Sequence, residues 1–390
     1  MLKTDAWVLH PGQDGAAPAR TTGEALSREQ FALGELGDNE VLVEPLYGSW
    51  EANLDHALSR SPIDVCRARG EDAVIIGNLG VVRVLRTGSS PRAESFQEGD
   101  ICLVMPFGKT DRHGYAELVY AYDMPGTIGL LAKQTKLEAD ILLRVPPLTP
   151  YSLPQWAAYA RYFTAWDNWR TALRCWQAQL PDERPADHLV FGWGGGVTFA
   201  EMLLARRAGF RVAMTTSTDE RMDMLRRNGI TGVDRRLFPD LVHRPELAGQ
   251  DAEYDARHRA AQKEFLRTIG ELSDGAGVAI FIDNMGAPLH RATLKALARQ
   301  GVLTTCGWKQ GMSTTSLRAS ECIGRHLHVH THVWRLQDSA TIRDHQENTG
   351  WIPDIDETKI YGFDDIPALA EEYSIGKLDT YFPIFQVNPV

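Results

Sequence analysis

The sequence predicts an α/β protein in two parts, a compact β-barrel-like module followed by a doubly wound parallel sheet. Three observations predict it. Short strands broken by turn residues fill the chain up to Pro150. From Leu189 onward, short apolar strands alternate with helical stretches, as parallel pairing requires. A glycine cluster, Gly192-Trp193-Gly194-Gly195-Gly196, stands where the first of those strands turns into a helix. The chain has 390 residues, which at about 100–200 per domain suits two cores. Its 43% hydrophobic and 24% charged residues exclude a mainly disordered or collagen-like chain.

Taken in order, Val41–Tyr47 reads as a strand after an Asp38-Asn39 turn. Ala73–Leu85 is apolar, with Gly77 and Gly80 where a β-structure bends or packs closely. Gly99-Asp100 leads into Ile101–Val104, and Gly114 precedes Tyr115–Val119. Pro146, Pro147 and Pro150 then punctuate the chain. Leu153–Gln177 is an aromatic-rich helical stretch ending before Pro181. Strands Leu189–Trp193, Arg211–Thr215, Val278–Asp283, Gly301–Thr305 and His326–Val333 alternate with helices Phe199–Ala208, Asp219–Asn228 and Leu289–Arg299. The charged run 239–272 reads as a solvated helical insertion. The tail offers a helix over Ile366–Tyr373 and a final strand, Tyr381–Val387.

Charge and sulfur narrow the function. Lys+Arg 41 against Asp+Glu 51 gives −10, which argues against bulk binding to nucleic acid or an anionic membrane. No stretch approaches the ~18–20 apolar residues of a membrane span. The N-terminal residues lack the apolar core of a signal peptide. The five cysteines (Cys66, Cys102, Cys175, Cys306, Cys322) are odd in number and form no CxxC pair. They read as reduced thiols, and a cytoplasmic protein is expected.

The glycine cluster carries the chemistry. Glycines in a strand–turn–helix frame let backbone N–H groups approach a pyrophosphate at a helix start. A tight turn without a ligand is the plainer alternative. The second strand ends in Thr215-Thr216-Ser217-Thr218, where an NAD site would place an acidic residue. Hydroxyls followed by Arg221 favour a 2′-phosphate, hence NADP(H), although the same hydroxyls also suit a helix cap. His326, His328, His330 and His332 alternate along one predicted strand. No acid or cysteine joins them locally, so packing or an interface face is the simpler reading than a metal.

These motifs together resemble the medium-chain dehydrogenase/reductase superfamily. The resemblance rests on Gly195-Gly196-Val197, on Thr215 to Arg221, and on Phe281-Ile282-Asp283-Asn284-Met285-Gly286. Leu303-Thr304-Thr305-Cys306-Gly307 and the tail from Tyr361 to Lys377 extend it. It implies a GroES-like β-barrel catalytic domain plus a doubly wound Rossmann domain. The expected limits are 1–155 for the first, 156–344 for the second, and 345–390 for a C-terminal return to the first. Gly48 to Leu58, the Arg235-Arg236 pair and Thr331-His332 look most similar to the crotonyl-CoA carboxylase/reductase branch.

That branch implies an NADPH-dependent reductase acting on an α,β-unsaturated thioester. The cofactor would lie on Gly194, Gly195, Gly196, Val197, Thr215, Ser217, Arg221 and Cys306; the candidates for catalysis are Glu51 and Asn53, polar groups at a turn near residue 50, and His332, which matches the branch's active-site histidine. Carboxylation does not carry over, because Leu153-Pro154-Gln155-Trp156 stands where the carboxylating enzymes place a glutamate. Zinc is not expected either: Trp50-Glu51-Ala52-Asn53 and Gly77-Asn78-Leu79-Gly80 replace the ligands of zinc-dependent members. Two departures concern the cofactor loop, Trp193 at the family's first glycine and Thr198 at its last. Relatives that pair edge strands imply a homodimer. The rival readings are a quinone or enone reductase and a cofactor-free scaffold protein.

Overall fold

The computed structural model describes residues 2–12, 23–307, 324–331 and 334–390. It divides into two compact units. The first comprises residues 1–163, 335–378 and 382–390, and the second residues 164–334 and 379–381.

The first unit is built on a curled antiparallel sheet. Its strands run in the order Ile384–Gln386, Glu40–Ser49, Gly80–Thr87, Ile101–Val104 and Leu142–Arg144, with Thr135–Glu138 also paired to Glu40–Ser49. Pro45 cannot donate to the ladder, and the register slips between Pro45 and Tyr47. The tail strand closes the sheet through one glycine. Phe385 pairs with Gly48, and a Cβ there would lie 2.1 Å from the Phe385 ring. Trp50, Leu54, Ile76, Leu131 and Phe385 belong to the buried apolar cluster of this half-barrel.

The second unit is a six-stranded, wholly parallel sheet. In space the order is Thr231–Asp234, Arg211–Thr216, Leu189–Trp193, Val278–Asp283, Leu297–Thr305 and His328–Thr331. Numbered along the chain this is 3-2-1-4-5-6, the doubly wound order that binds dinucleotides. The order reverses between Leu189–Trp193 and Val278–Asp283, which places a crevice at the carboxyl ends of those two strands.

Several elements differ from their sequence reading, the tail strand among them, which is Ile384–Gln386 rather than Tyr381–Val387. The stretch after Ala252 is a helix, Ala252–Leu272, but it is not merely solvated: Tyr254, Ala261, Phe265 and Ile269 are buried. Those positions recur at helical spacing, so the charges occupy the other face. The strand expected at Gly301 begins at Leu297, because Leu297 pairs with Val278 and is buried. Cross-strand pairing there overrides the helical propensity of Leu297 and Ala298. The aromatic stretch is two helices, Leu153–Ala157 and Tyr159–Gln179. Among the described residues no helix is long and apolar enough to cross a membrane.

Candidate functional site

The glycine turn sits at the reversal point of the parallel sheet. Strand Leu189–Trp193 is buried throughout, Gly194 takes φ +152°, and helix Gly196–Arg207 follows Gly195 as its N-cap. The Trp193 indole does not cover the turn. It is 3% exposed and packs 5.0 Å from the Phe265 ring and 4.8 Å from the Phe281 ring, in the apolar core. A Cβ at Gly195 would meet nothing within 4 Å, so the backbone is open there. Phe199 N–H donates to Gly195 O at 3.1 Å. By helix geometry the N–H groups of Gly196, Val197 and Thr198 have no carbonyl partner in a preceding turn.

Thr198 supports the turn from inside. A Cβ on Gly194 would lie 2.2 Å from Thr198 Oγ1, and one on Gly192 2.7 Å from Thr198 Cγ2. The threonine therefore fills the space that Gly192 and Gly194 leave. Its hydroxyl accepts from Asn284 Nδ2 at 2.9 Å. Asn284 Oδ1 in turn accepts from the Cys306 N–H at 3.0 Å. Burial pushes the Cys306 thiol well above its ordinary range, so this residue contributes its main chain rather than a reactive sulfur.

Beside this chain lies a group the sequence reading missed. Glu201 is fully buried on the helix that follows the glycine turn. Asn168 Nδ2 donates to its two oxygens at 3.2 and 3.1 Å, and Asn168 Oδ1 accepts from Thr304 Oγ1 at 2.8 Å. Burial raises the Glu201 carboxyl well above the usual range, against the lowering effect of Asn168 and Asn284. Its signal was present in the sequence: Glu201 is the lone charge in the run from Val197 to Ala205.

At the next strand end, Thr215 and Thr216 are buried and Ser217 is half-buried. Thr218 takes the capping role, accepting from Arg221 N at 3.3 Å. The Arg221 guanidinium donates to Thr380 O at 3.1 Å and stacks 4.9 Å over the Tyr381 ring. Arg236 pairs with Asp234 at 2.8 Å and with Asp219 at 3.2 Å. Arg235, singled out in the sequence as part of the Arg235-Arg236 pair but given no role there, is exposed and carries its charge near Tyr381 as Arg221 does.

In the first unit, Glu51 caps helix Ala52–Ser59 by accepting from Asn53 N at 2.9 Å. The side chain is 9% exposed. Burial raises its carboxyl above the usual range, opposed by its backbone partners, Arg161 and Tyr122. Tyr122 donates to Glu51 Oε1 at 3.5 Å, and Arg161 donates to the Trp50 carbonyl. Asn53 thus meets Glu51 through its backbone, while Tyr122 and Arg161 were not foreseen. His332 lies outside the described residues. Among those described, no group of three or more His, Cys, Asp or Glu side chains is placed to hold a metal ion.

No protein-family model and no curated protein matches this sequence. Solved structures do. A crotonyl-CoA carboxylase/reductase, AntE, in complex with NADP matches at TM-score 0.78 and 19% identity, covering 100% of this chain and 95% of that one. The 2-octenoyl-CoA carboxylase reductase CinF, in complex with NADP and 2-octenoyl-CoA, gives 0.76 and 15%, over 98% and 87%. The 2R,3R-butanediol dehydrogenase from Bacillus subtilis gives 0.71 and 13%, over 99% and 100%. The chain has their fold. It is a GroES-like half-barrel with a Rossmann unit, and the likeness runs over nearly the whole of each chain.

Proposed function

We propose that this chain is a zinc-independent member of the medium-chain dehydrogenase/reductase superfamily. In this reading it binds NADPH and reduces the C=C bond of an α,β-unsaturated acyl thioester without carboxylating it. The observation that carries the reading is the open turn at Gly195, with the Trp193 ring withdrawn into the core. The N–H groups of Gly196 and Val197, at the start of a 12-residue helix, suit a diphosphate. The complexes of AntE and CinF with NADP support the choice of coenzyme.

When bound, NADPH supplies a hydride, two electrons and a proton nucleus, to the β-carbon. The protein must then stabilise charge developing on the thioester oxygen and return a proton to the α-carbon. Glu51 is a buried carboxyl group, and burial raises its pKa above the usual carboxylate range, the direction a proton donor needs. We assign it the proton delivery, with Tyr122 holding Oε1 and the Asn53 N–H holding Oε2. The stretch Leu153-Pro154-Gln155-Trp156, which holds no carboxylate, supports the absence of carboxylation; its Gln155 accepts from Ser152 N at 3.0 Å and donates to Pro353 O at 2.8 Å. A homodimer through the edge strand His328–Thr331, where Val329 is 49% exposed, completes the reading.

The test follows NADPH absorbance with crotonyl-CoA and longer enoyl-CoA substrates, with and without bicarbonate. Oxidation giving the same saturated product in both conditions is expected. Oxidation only by 2-cyclohexenone or benzoquinone would make it an enone or quinone reductase. No quenching of tryptophan fluorescence by NADPH would leave the scaffold reading. Arg235→Ala is expected to weaken NADPH binding about tenfold and to leave NADH unchanged, since a charge-assisted contact to a 2′-phosphate is worth about 1.5 kcal/mol. Equal loss for both coenzymes, measured by the same quenching, would remove Arg235 from this role.

A further inference from the structure

The acid at position 201 is hard to explain by stability. It lies on the core side of helix Gly196–Arg207, fully enclosed, and burial raises its pKa well above the usual carboxylate range. An apolar side chain of similar size would suit that surface without requiring polar partners. Instead three further polar residues from separate elements are spent on it. Asn168 comes from helix Tyr159–Gln179, Thr304 from strand Leu297–Thr305, and Asn284 from the loop after strand Val278–Asp283. Asn284 is also the residue that holds the Cys306 N–H and the Thr198 hydroxyl. The connected group therefore spans the helix behind the glycine turn and the carboxyl ends of two adjacent strands.

We propose that Glu201 is a positioning residue of the dinucleotide pocket, acting through Asn168 and Asn284 on the backbone at Thr304 and Cys306. This rests on the coenzyme reading above. Glu201 meets no coenzyme itself. Its two oxygens fix the Asn168 amide, and the shared Asn284 side chain fixes the height of the Cys306 N–H relative to the glycine turn. A buried network of this kind restricts the arrangement of its members, because a shift strands a polar group without water. Placement of the strand ends beside the turn then follows from side chains that never touch the ligand.

Two variants test it in the full-length protein. Glu201→Gln keeps the shape and an acceptor oxygen for Asn168, and Glu201→Leu keeps the volume but leaves Asn168 without its acceptor. The readouts are NADPH dissociation constant by tryptophan quenching, and the rate at which iodoacetamide alkylates Cys306 without coenzyme, read by peptide mass spectrometry. Thermal melting verifies that each variant is folded. Glu201→Leu is expected to weaken NADPH about tenfold and to speed Cys306 alkylation severalfold, with Glu201→Gln close to the parent in both. A folded Glu201→Leu that matches the parent in both would overturn the proposal. So would a Glu201→Gln as impaired as Glu201→Leu, since rescue by the isostere that keeps the acceptor is required. If the parent protein binds no NADPH, the coenzyme reading and this role fall together. The alkylation rates then tell whether the network at least holds Cys306.

Discussion

Alanine at Gly194 is expected to cost about 3 kcal/mol of stability and to abolish NADPH binding, whereas alanine at Gly195 abolishes binding alone. The two glycines are neighbours, and their surroundings separate them. Gly194 has φ +152°, a conformation that L side chains rarely adopt, and its Cβ would lie 2.2 Å from Thr198 Oγ1 and 3.1 Å from Asn284 Cβ. Strain and overlap each carry about 1–3 kcal/mol. Thr198 cannot simply rotate away, because Asn284 Nδ2 holds its hydroxyl. Gly195 has φ −109° and open space where a Cβ would go. A methyl group there disturbs little of the protein, about 1 kcal/mol or less, yet it occupies the approach to the free N–H groups. Urea denaturation and NADPH quenching, measured on both variants, give the contrast. A Gly195→Ala protein that binds NADPH like the parent would show that the diphosphate does not use this turn.

How much of this was legible in the sequence depends on the range of the interaction. Alternation of strands and helices is local, and it yields the parallel sheet. The direction of Trp193 was legible in principle, since it lies two residues from Phe191 on a strand and shares its face. The buried face of Ala252–Leu272 was legible in the same way, through Ala261, Phe265 and Ile269 at four-residue spacing. Other features depend on partners far along the chain. Asn168 meets Glu201 across 33 positions and Thr304 across 136, and no periodicity links them. Strand Leu297–Thr305 starts early because Val278 is its partner, which a propensity at Leu297 does not reveal. Arg221 was read beside a 2′-phosphate, and its bond to Thr380, 159 positions on, carries no local signal in the sequence. Glu51 was noticed as a polar residue at a turn, and what the sequence withheld was its burial. That burial turns an ordinary helix cap into an acid with a raised pKa.

Glu51→Gln gives the other large effect, and its sign in pH can be worked out. If Glu51 delivers the proton, the active form is the acid. Activity is then present below its raised folded pKa and falls as pH rises through that value. Glutamine accepts the Asn53 N–H as the carboxyl does but has no proton to give, so kcat should drop about 10²-fold or more. Its remaining activity should show no alkaline decline, and NADPH quenching should be unchanged. Stability follows the same group with its own slope. The folded state holds the Glu51 proton more tightly than the unfolded chain, whose carboxyl titrates near 4.5. Native stability therefore declines as pH rises from that value toward the folded pKa, and Glu51→Gln removes this part of the decline. A variant that loses the stability slope but keeps kcat and its pH profile would reduce Glu51 to the cap of helix Ala52–Ser59 and leave the proton to another donor.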